Sequence, residues 1–209
     1  IIFAWIYCKK FLIKDEKILD LFDDLISYLI VGVILGGRFG YVFFYNFEYY
    51  LKNFFEILMI WKGGMSFHGG LVGVIIATYI FSKKNNINIF SFLDLISMSA
   101  PIGIFLGRIA NYINSELYGR KTDFFWSVKF QKIDNTFRHP SQIYEAIFEG
   151  IILFILLNYI FRKYLYKSPG IISALFLIFY SIFRFFIEFT RSSVASGCIV
   201  IISAPALEN

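Results

Sequence analysis

The segment Gly107-Arg108-Ile109-Ala110-Asn111-Tyr112-Ile113-Asn114-Ser115-Glu116-Leu117-Tyr118-Gly119-Arg120 closes a long apolar run from Phe90 and sets an arginine among amide and carboxylate side chains. At about 100° per helical residue, Arg108, Asn111 and Ser115 fall on one narrow stripe, with Tyr112 and Glu116 beside it. An ionisable side chain inside a bilayer costs roughly 2.5–3.5 kcal/mol on insertion scales and faces a cavity or a partner, so the stripe reads as a functional site. The competing reading is an arginine snorkelling from a helix end. A second stripe joins Tyr180, Arg184, Glu188 and Arg191 on one helical face. Glu188, four residues after Arg184, is a sound intrahelical neutraliser. Two arginine stripes on separate helices nevertheless look like halves of a clamp for an anion, because guanidinium groups bind phosphate oxygens bidentately.

Trp61-Lys62-Gly63-Gly64-Met65-Ser66-Phe67-His68-Gly69-Gly70 brackets a histidine with glycine pairs. Each glycine lowers helix propensity by about 1 kcal/mol, so a break entering the membrane is expected here. His68, with an ordinary pKa near 6.5, is a candidate base or a structural residue. A serine-hydrolase reading of Ser66 fails, because G-x-S-x-G lacks its second glycine and no strand precedes it. In His139-Pro140-Ser141-Gln142-Ile143-Tyr144-Glu145, Ser141 is a plausible cap, and Glu145 and Glu149 are buried acids that balance the arginines. Asp94 reads as structural, complementing a helix dipole. Gly32, Gly36 and Gly40, and Gly69, Gly73 and Ala77, repeat every four residues and predict close helix packing. Arg38, beside Gly37, is expected to pair with a glutamate or a lipid phosphate.

The elements that hold these residues follow from composition. The 209 residues are 58% hydrophobic and 21% aromatic, with mean hydropathy +0.66, too apolar for a soluble domain of this size. Spans of about 20 residues are expected at Leu25–Tyr45, Gly64–Phe81, Phe90–Asn111, Ile143–Phe161 and Ile171–Phe189. Ile1–Cys8 reads as the end of a longer helix, and 192–209 as a divergent tail in which Ser196-Gly197-Cys198 echoes a lipobox by coincidence. Two cysteines give neither a disulfide framework nor a metal cluster, so no metal or cofactor is expected. Lys9, Lys10, Lys14 and Lys17, then Lys83 and Lys84, then Arg162, Lys163 and Lys167 sit on alternate loops, which the positive-inside rule makes cytoplasmic. The Ser115–Pro140 connection then lies outside as a small cap, with Phe124, Phe125 and Trp126 at the headgroup level. No basic face suits nucleic acid.

Gly36-Gly37-Arg38-Phe39-Gly40-Tyr41, Gly64–Leu71, Gly107–Arg120, Arg138–Glu145 and Phe183–Phe189 occur in the order of the motifs of prolipoprotein diacylglyceryl transferases, a family this chain resembles from about Gly36 to Arg191. The resemblance implies transfer of diacylglycerol from phosphatidylglycerol to the lipobox cysteine of a prolipoprotein signal peptide, with glycerol 1-phosphate released. It implies a multi-pass protein of the bacterial inner membrane with its site toward the outer leaflet. Carried over residue by residue, His68, Arg108 and Arg184 match essential positions. Asn111, Glu116, Tyr180 and Glu188 match other site positions, and Arg38 joins them as a lipid-binding candidate.

The expected fold is therefore all-α: one membrane domain over 1–191 with five spanning helices, a partial first helix and an outer cap at 115–140. Two rivals use the same residues: a small-anion or lipid transporter binding at the arginines, and a noncatalytic packing protein that explains the glycines but not the arginine stripes.

Overall fold

The computed structural model describes residues 2–13, 15–130, 132–164 and 168–191. Lys14, Lys167, the 192–209 tail and its Ser196-Gly197-Cys198 lie outside the described residues. The chain divides into two compact units, one drawn from 1–14 and 90–197 and the other from 15–89.

In the second of these, α2 (Glu16–Phe44) starts at Asp15, whose side chain accepts the amide of Lys17 at 2.9 Å. A short α3 (Phe47–Lys52) and two 3₁₀ turns, Phe54–Leu58 and Ile60–Lys62, lead to α4 (Phe67–Asn85). Gly63 and Gly64 adopt φ of 80° and 82°, which delays the helix to Phe67 and realises the expected break. The Ser66 hydroxyl caps α4 by accepting the Gly69 amide at 3.2 Å, and Lys83 and Lys84 stand in its last turn, where cations suit the dipole. α2 and α4 approach until backbone touches backbone. A Cβ on Gly73 would lie 2.0 Å from the Gly32 oxygen, and one on Gly36 would lie 2.4 Å from the Gly69 oxygen. The small-residue spacing thus does the work predicted for it.

The other unit opens with α1 (Ile2–Tyr7), which widens into a π turn over Cys8–Leu12. The Tyr7 hydroxyl donates to the Asn158 side chain. Next come α5 (Ile89–Asn114), strands β1 (Val128–Lys129) and β2 (Phe137–Arg138) paired antiparallel with Val128 opposite Arg138, and α6 (Ser141–Glu145). A second π turn, Ala146–Ile152, continues α6 into α7 (Leu153–Tyr164), and α8 (Ile171–Glu188) follows. Phe92, Leu95, Met98, Leu153, Leu157 and Ile172 form its apolar core. Asp94 does not complement the dipole of its own helix: its two oxygens accept the Gly170 and Ser173 amides, both at 2.8 Å, and so cap α8.

Among the described residues, three helices are long and apolar enough to cross a membrane: Ile89–Asn114, Ser141–Phe161 and Ile171–Glu188. These support three of the five expected spans. α2 and α4 occupy the other two positions, but α2 begins with Glu16, Lys17, Asp20, Asp23 and Asp24, and α4 keeps only the part of Gly64–Phe81 that follows Phe67. Only 11% of the α8 span is buried within the protein, and Leu177, Ile182, Phe185 and Phe186 face outward as lipid contacts would require.

The 115–140 connection is the only described β structure. Arg138 and Asp134 bridge at 2.6 Å across its turn, and Arg138 lies over the Tyr118 ring at 4.7 Å. Phe124, Phe125 and Trp126 are exposed beside it, as expected of headgroup anchors.

Two predictions follow from this packing. Gly73→Val places a side chain against the α2 backbone and is expected to destabilise the α2–α4 pair by about 1–3 kcal/mol, read as a lowered unfolding midpoint in detergent. Hydrogen bonds from Arg138 and Thr136 hold the Asp134 carboxyl well below the ordinary carboxylate range. Its contribution is therefore present above the unfolded value of about 3.9 and is lost as pH falls through the lower folded value. Protection factors of the hairpin amides, corrected for the intrinsic pH dependence of exchange, should stay nearly constant from pH 7 to about 5, whereas Asp134→Asn should lower them throughout that range.

Candidate active site

Arg108 on α5, Glu145 at the end of α6, Glu149 in the following π turn, and Arg184 and Glu188 on α8 converge with Arg191 on one ionic cluster. Glu145 is its hub. One oxygen receives Arg184 Nη1 at 2.5 Å and the other lies 3.0 Å from Arg108 Nε. Arg191 Nε stands 3.8 Å from Glu145 and its Nη1 3.6 Å from Glu188, which also reaches Arg184 at 3.3 Å. Glu149 lies 3.7 Å from Arg108 and 3.6 Å from Arg184. Three guanidinium groups thus face three carboxylates.

The local sequence brings them together. Arg108 lies fourteen residues after Asp94, and Arg184 fourteen residues after Gly170, the two positions that Asp94 ties together. At 1.5 Å per residue both arginines stand about 21 Å above that tie, at one level. Gly150 lets the α6–α7 run approach α5, since a Cβ there would lie 2.8 Å from that of Phe105. The start of α6 is fastened to the end of α5: the Ser141 hydroxyl donates to the Leu117 carbonyl at 3.0 Å and the Gln142 amide to the Glu116 carbonyl at 2.5 Å.

Exposure within the cluster is uneven. Glu145 and Glu149 are wholly buried, while the side chains of Arg108 and Arg184 are 16% and 27% exposed. Glu145, Glu149 and Arg191 form the floor, and Arg108, Arg184 and Glu188 the mouth. Buried ion pairs stabilise little against apolar replacements, because desolvation offsets the attraction, so such a cluster is weak support for the fold alone. Its free guanidinium edges suit a phosphate.

The other predicted residues divide. Tyr180 lies one turn before Arg184, stacked on Phe176 at 5.8 Å, within electrostatic reach of Arg108, Arg184 and both buried glutamates. Asn111 is half-buried near the mouth, and its carbonyl accepts the Glu116 amide at 2.8 Å. The Glu116 side chain is exposed and makes no ion pair among the described residues. Arg38 and His68 belong to the other unit. Arg38 is buried and spends its N–H groups on five carbonyls, those of Glu56, Ile57, Met59, Gly63 and Gly64, at 2.5–3.2 Å, with Tyr50 under its guanidinium at 5.1 Å. His68 is exposed in the first turn of α4, edge-on to Phe67 at 5.7 Å, on a groove of about 980 Å³ between α2 and α4. Glu145 and Glu149 are expected as acids that balance the arginines, with an acid–base role open to them, and Arg191 only as the end of a stripe. Their central position was signalled by two acids four apart in an apolar run, matching arginines elsewhere.

The family model described as "Prolipoprotein diacylglyceryl transferase" matches residues 1–206. A protein of Rickettsia bellii (strain OSU 85-389) is 48% identical over 194 residues, covering 91% of this chain and 74% of that relative. One of Rickettsia typhi is 46% identical over 218 residues, covering 99% and 84%. One of Wolbachia pipientis wMel is 48% identical over 197 residues, covering 91% and 73%. All three bear the name phosphatidylglycerol–prolipoprotein diacylglyceryl transferase.

Removing the hub leaves three guanidinium groups sharing two carboxylates. Glu145→Ala is expected to lose about 3–5 kcal/mol of stability, as for a broken buried pair, measured by unfolding in detergent. Glu149→Ala, which breaks only the longer contacts, should lose less.

Proposed function

The chain belongs to the prolipoprotein diacylglyceryl transferase family, and we propose that its three-by-three ionic cluster is the site that grips the lipid phosphate in that reaction. The activity is transfer of a diacylglyceryl group from phosphatidylglycerol to a prolipoprotein. The acceptor atom in this reading is the lipobox cysteine thiol of the signal peptide, and glycerol 1-phosphate departs.

The observation that carries the reading is the convergence of Arg108 and Arg184 on Glu145 at one depth, with their outer edges uncovered. Attack of a thiolate on the glyceryl carbon turns a phosphodiester monoanion into a leaving monoester whose second pKa is about 6, so negative charge grows where the two guanidinium groups stand. Asn111, Tyr180 and Glu188 border that point, and the resemblance adds Glu116 to the lipid-binding set; Arg38, expected there too, spends its N–H groups on backbone carbonyls instead. A free thiol has a pKa near 8.5 and needs a base, and His68 is assigned in this reading to taking its proton or orienting the lipid. No cofactor enters, since the nucleophile and the leaving group both come from substrates.

Residues 1–191 act in this reading as one domain in the bacterial cytoplasmic membrane, with 115–140 as the outer cap and 192–209 as a tail. The basic residues on alternate loops support a site toward the outer leaflet. No observation favours the anion-transport alternative.

The test is incubation of the protein in phosphatidylglycerol vesicles with a model prolipoprotein, followed by mass spectrometry of its cysteine. Wild type should add a diacylglyceryl mass, and Arg108→Ala or Arg184→Ala should slow this by at least about 10²-fold. Turnover retained in both variants would reject the clamp.

A further inference from the structure

Among the six charges of the cluster, Glu149 is held differently from the rest. Glu145 takes a guanidinium hydrogen bond at 2.5 Å, and Glu188 is 39% exposed to its surroundings. Glu149 has no exposed surface, neither of its oxygens accepts a hydrogen bond from any described residue, and its arginine contacts lie at 3.6 and 3.7 Å. An ionised carboxylate that is both buried and without hydrogen bonds is the most costly charge in the group. It sits in a π turn, a winding that recurs at functional sites, and faces Arg108 from α5, Arg184 and Tyr180 from α8, and Glu145 from its own run.

An arriving anion acts on Glu149 first. A docked phosphodiester adds a negative charge beside this buried carboxylate and competes for Arg108 and Arg184, the two guanidinium groups that hold it at 3.7 and 3.6 Å. Both effects favour the protonated carboxyl over the ionised one. We infer that Glu149 becomes protonated as a phosphodiester docks between Arg108 and Arg184, and returns this proton to the phosphate oxygen that departs.

This rests on the transferase reading, and the step balances. One proton enters from solvent as the lipid binds. The thiol proton leaves through the base, the C–S bond forms with the sulfur electron pair, and the glyceryl C–O bond breaks with its pair on the phosphate oxygen. That oxygen takes the Glu149 proton, so the monoester leaves as a monoanion. Glu149 is then ionised again beside it, and like-charge repulsion favours release.

Calorimetric titration of the protein in neutral detergent with short-chain phosphatidylglycerol, in two buffers of different ionisation enthalpy near pH 7.5, counts protons taken up per lipid bound. Wild type should take up close to one, and Glu149→Gln none. In turnover, the wild-type KM for phosphatidylglycerol should rise with pH, approaching tenfold per unit, while Glu149→Gln should show a lower, pH-independent KM together with a kcat reduced at least about tenfold. That opposed change separates proton transfer from a merely structural role, which would not lower KM. Uptake that persists in Glu149→Gln, or a wild type that binds and turns over without uptake, overturns the inference, the latter while leaving the transferase reading intact. Proton-coupled binding without thioether formation would support the inference while removing the transferase reading. Should Glu149→Gln not fold, Glu149→Asp, which retains the titrating group, must keep both the uptake and the slope of KM with pH.

Discussion

A carboxylate cut off from water holds two guanidinium groups from different helices, and the arrangement of the unit around it follows from that requirement. Glu145 reaches Arg184 through one oxygen and Arg108 through the other, so α5, α6 and α8 must meet at one height for either charge to be tolerated in an apolar medium. The opposite ends of α5 and α8 are tied by a second carboxylate, Asp94, acting on backbone amides. Two helices fastened at both ends cannot slide past one another. Because the fastenings enclose equal lengths of chain, the arginines cannot fall at different depths.

Arginine buried in the other unit meets a different fate. Arg38 directs its N–H groups to five carbonyls in the turns between Glu56 and Gly64, leaving no free edge. Those carbonyls lie in and between short 3₁₀ turns and on glycines at positive φ; two of them, on Glu56 and Met59, also accept the Met59 and Lys62 amides. The guanidinium gathers these turns into the loop that leads into His68. Arg108 and Arg184 differ because their partners are carboxylates on one side only. Residue type and burial alone do not distinguish a staple from a clamp; the count of satisfied donors does.

This contrast also explains how far the sequence could be read. Stripes such as Arg108–Asn111–Ser115 and Tyr180–Arg184–Glu188 are periodic, and periodicity survives in a one-dimensional string. Glycines spaced by four are equally visible, and Gly32, Gly36, Gly69 and Gly73 meet as that spacing requires. Partners without a period are hidden. The carbonyls around Arg38 are scattered over backbone, and the role of Glu145 depends on three helices converging from far apart in the chain. The glycines at 63 and 64 were legible as a break, and their positive φ sets the start of α4 at Phe67. Asp94 was legible as a helix-terminus acid, but not as the cap of a helix seventy-six residues away.

The strained turn after α5 bears on why the ionic cluster holds its shape. Ser115 and Leu117 have φ of 63° and 54°, a region that side-chain-bearing residues enter at a cost of order 1–3 kcal/mol each. The turn persists because its polar groups are bound from several sides: Glu116 N to the Asn111 carbonyl, and the Glu116 and Leu117 carbonyls to Gln142 and Ser141. Gln142 and Ser141 open the helix that ends in Glu145, and Asn111 stands one turn after Arg108. Bonds that hold the turn therefore also fix the lateral distance between the guanidinium and its carboxylate, while Asp94 fixes their height. A regular loop of unstrained residues would satisfy its own backbone and need no help from α6. By leaving two carbonyls to be bound by the helix bearing Glu145, the turn couples its own geometry to that of the ionic cluster.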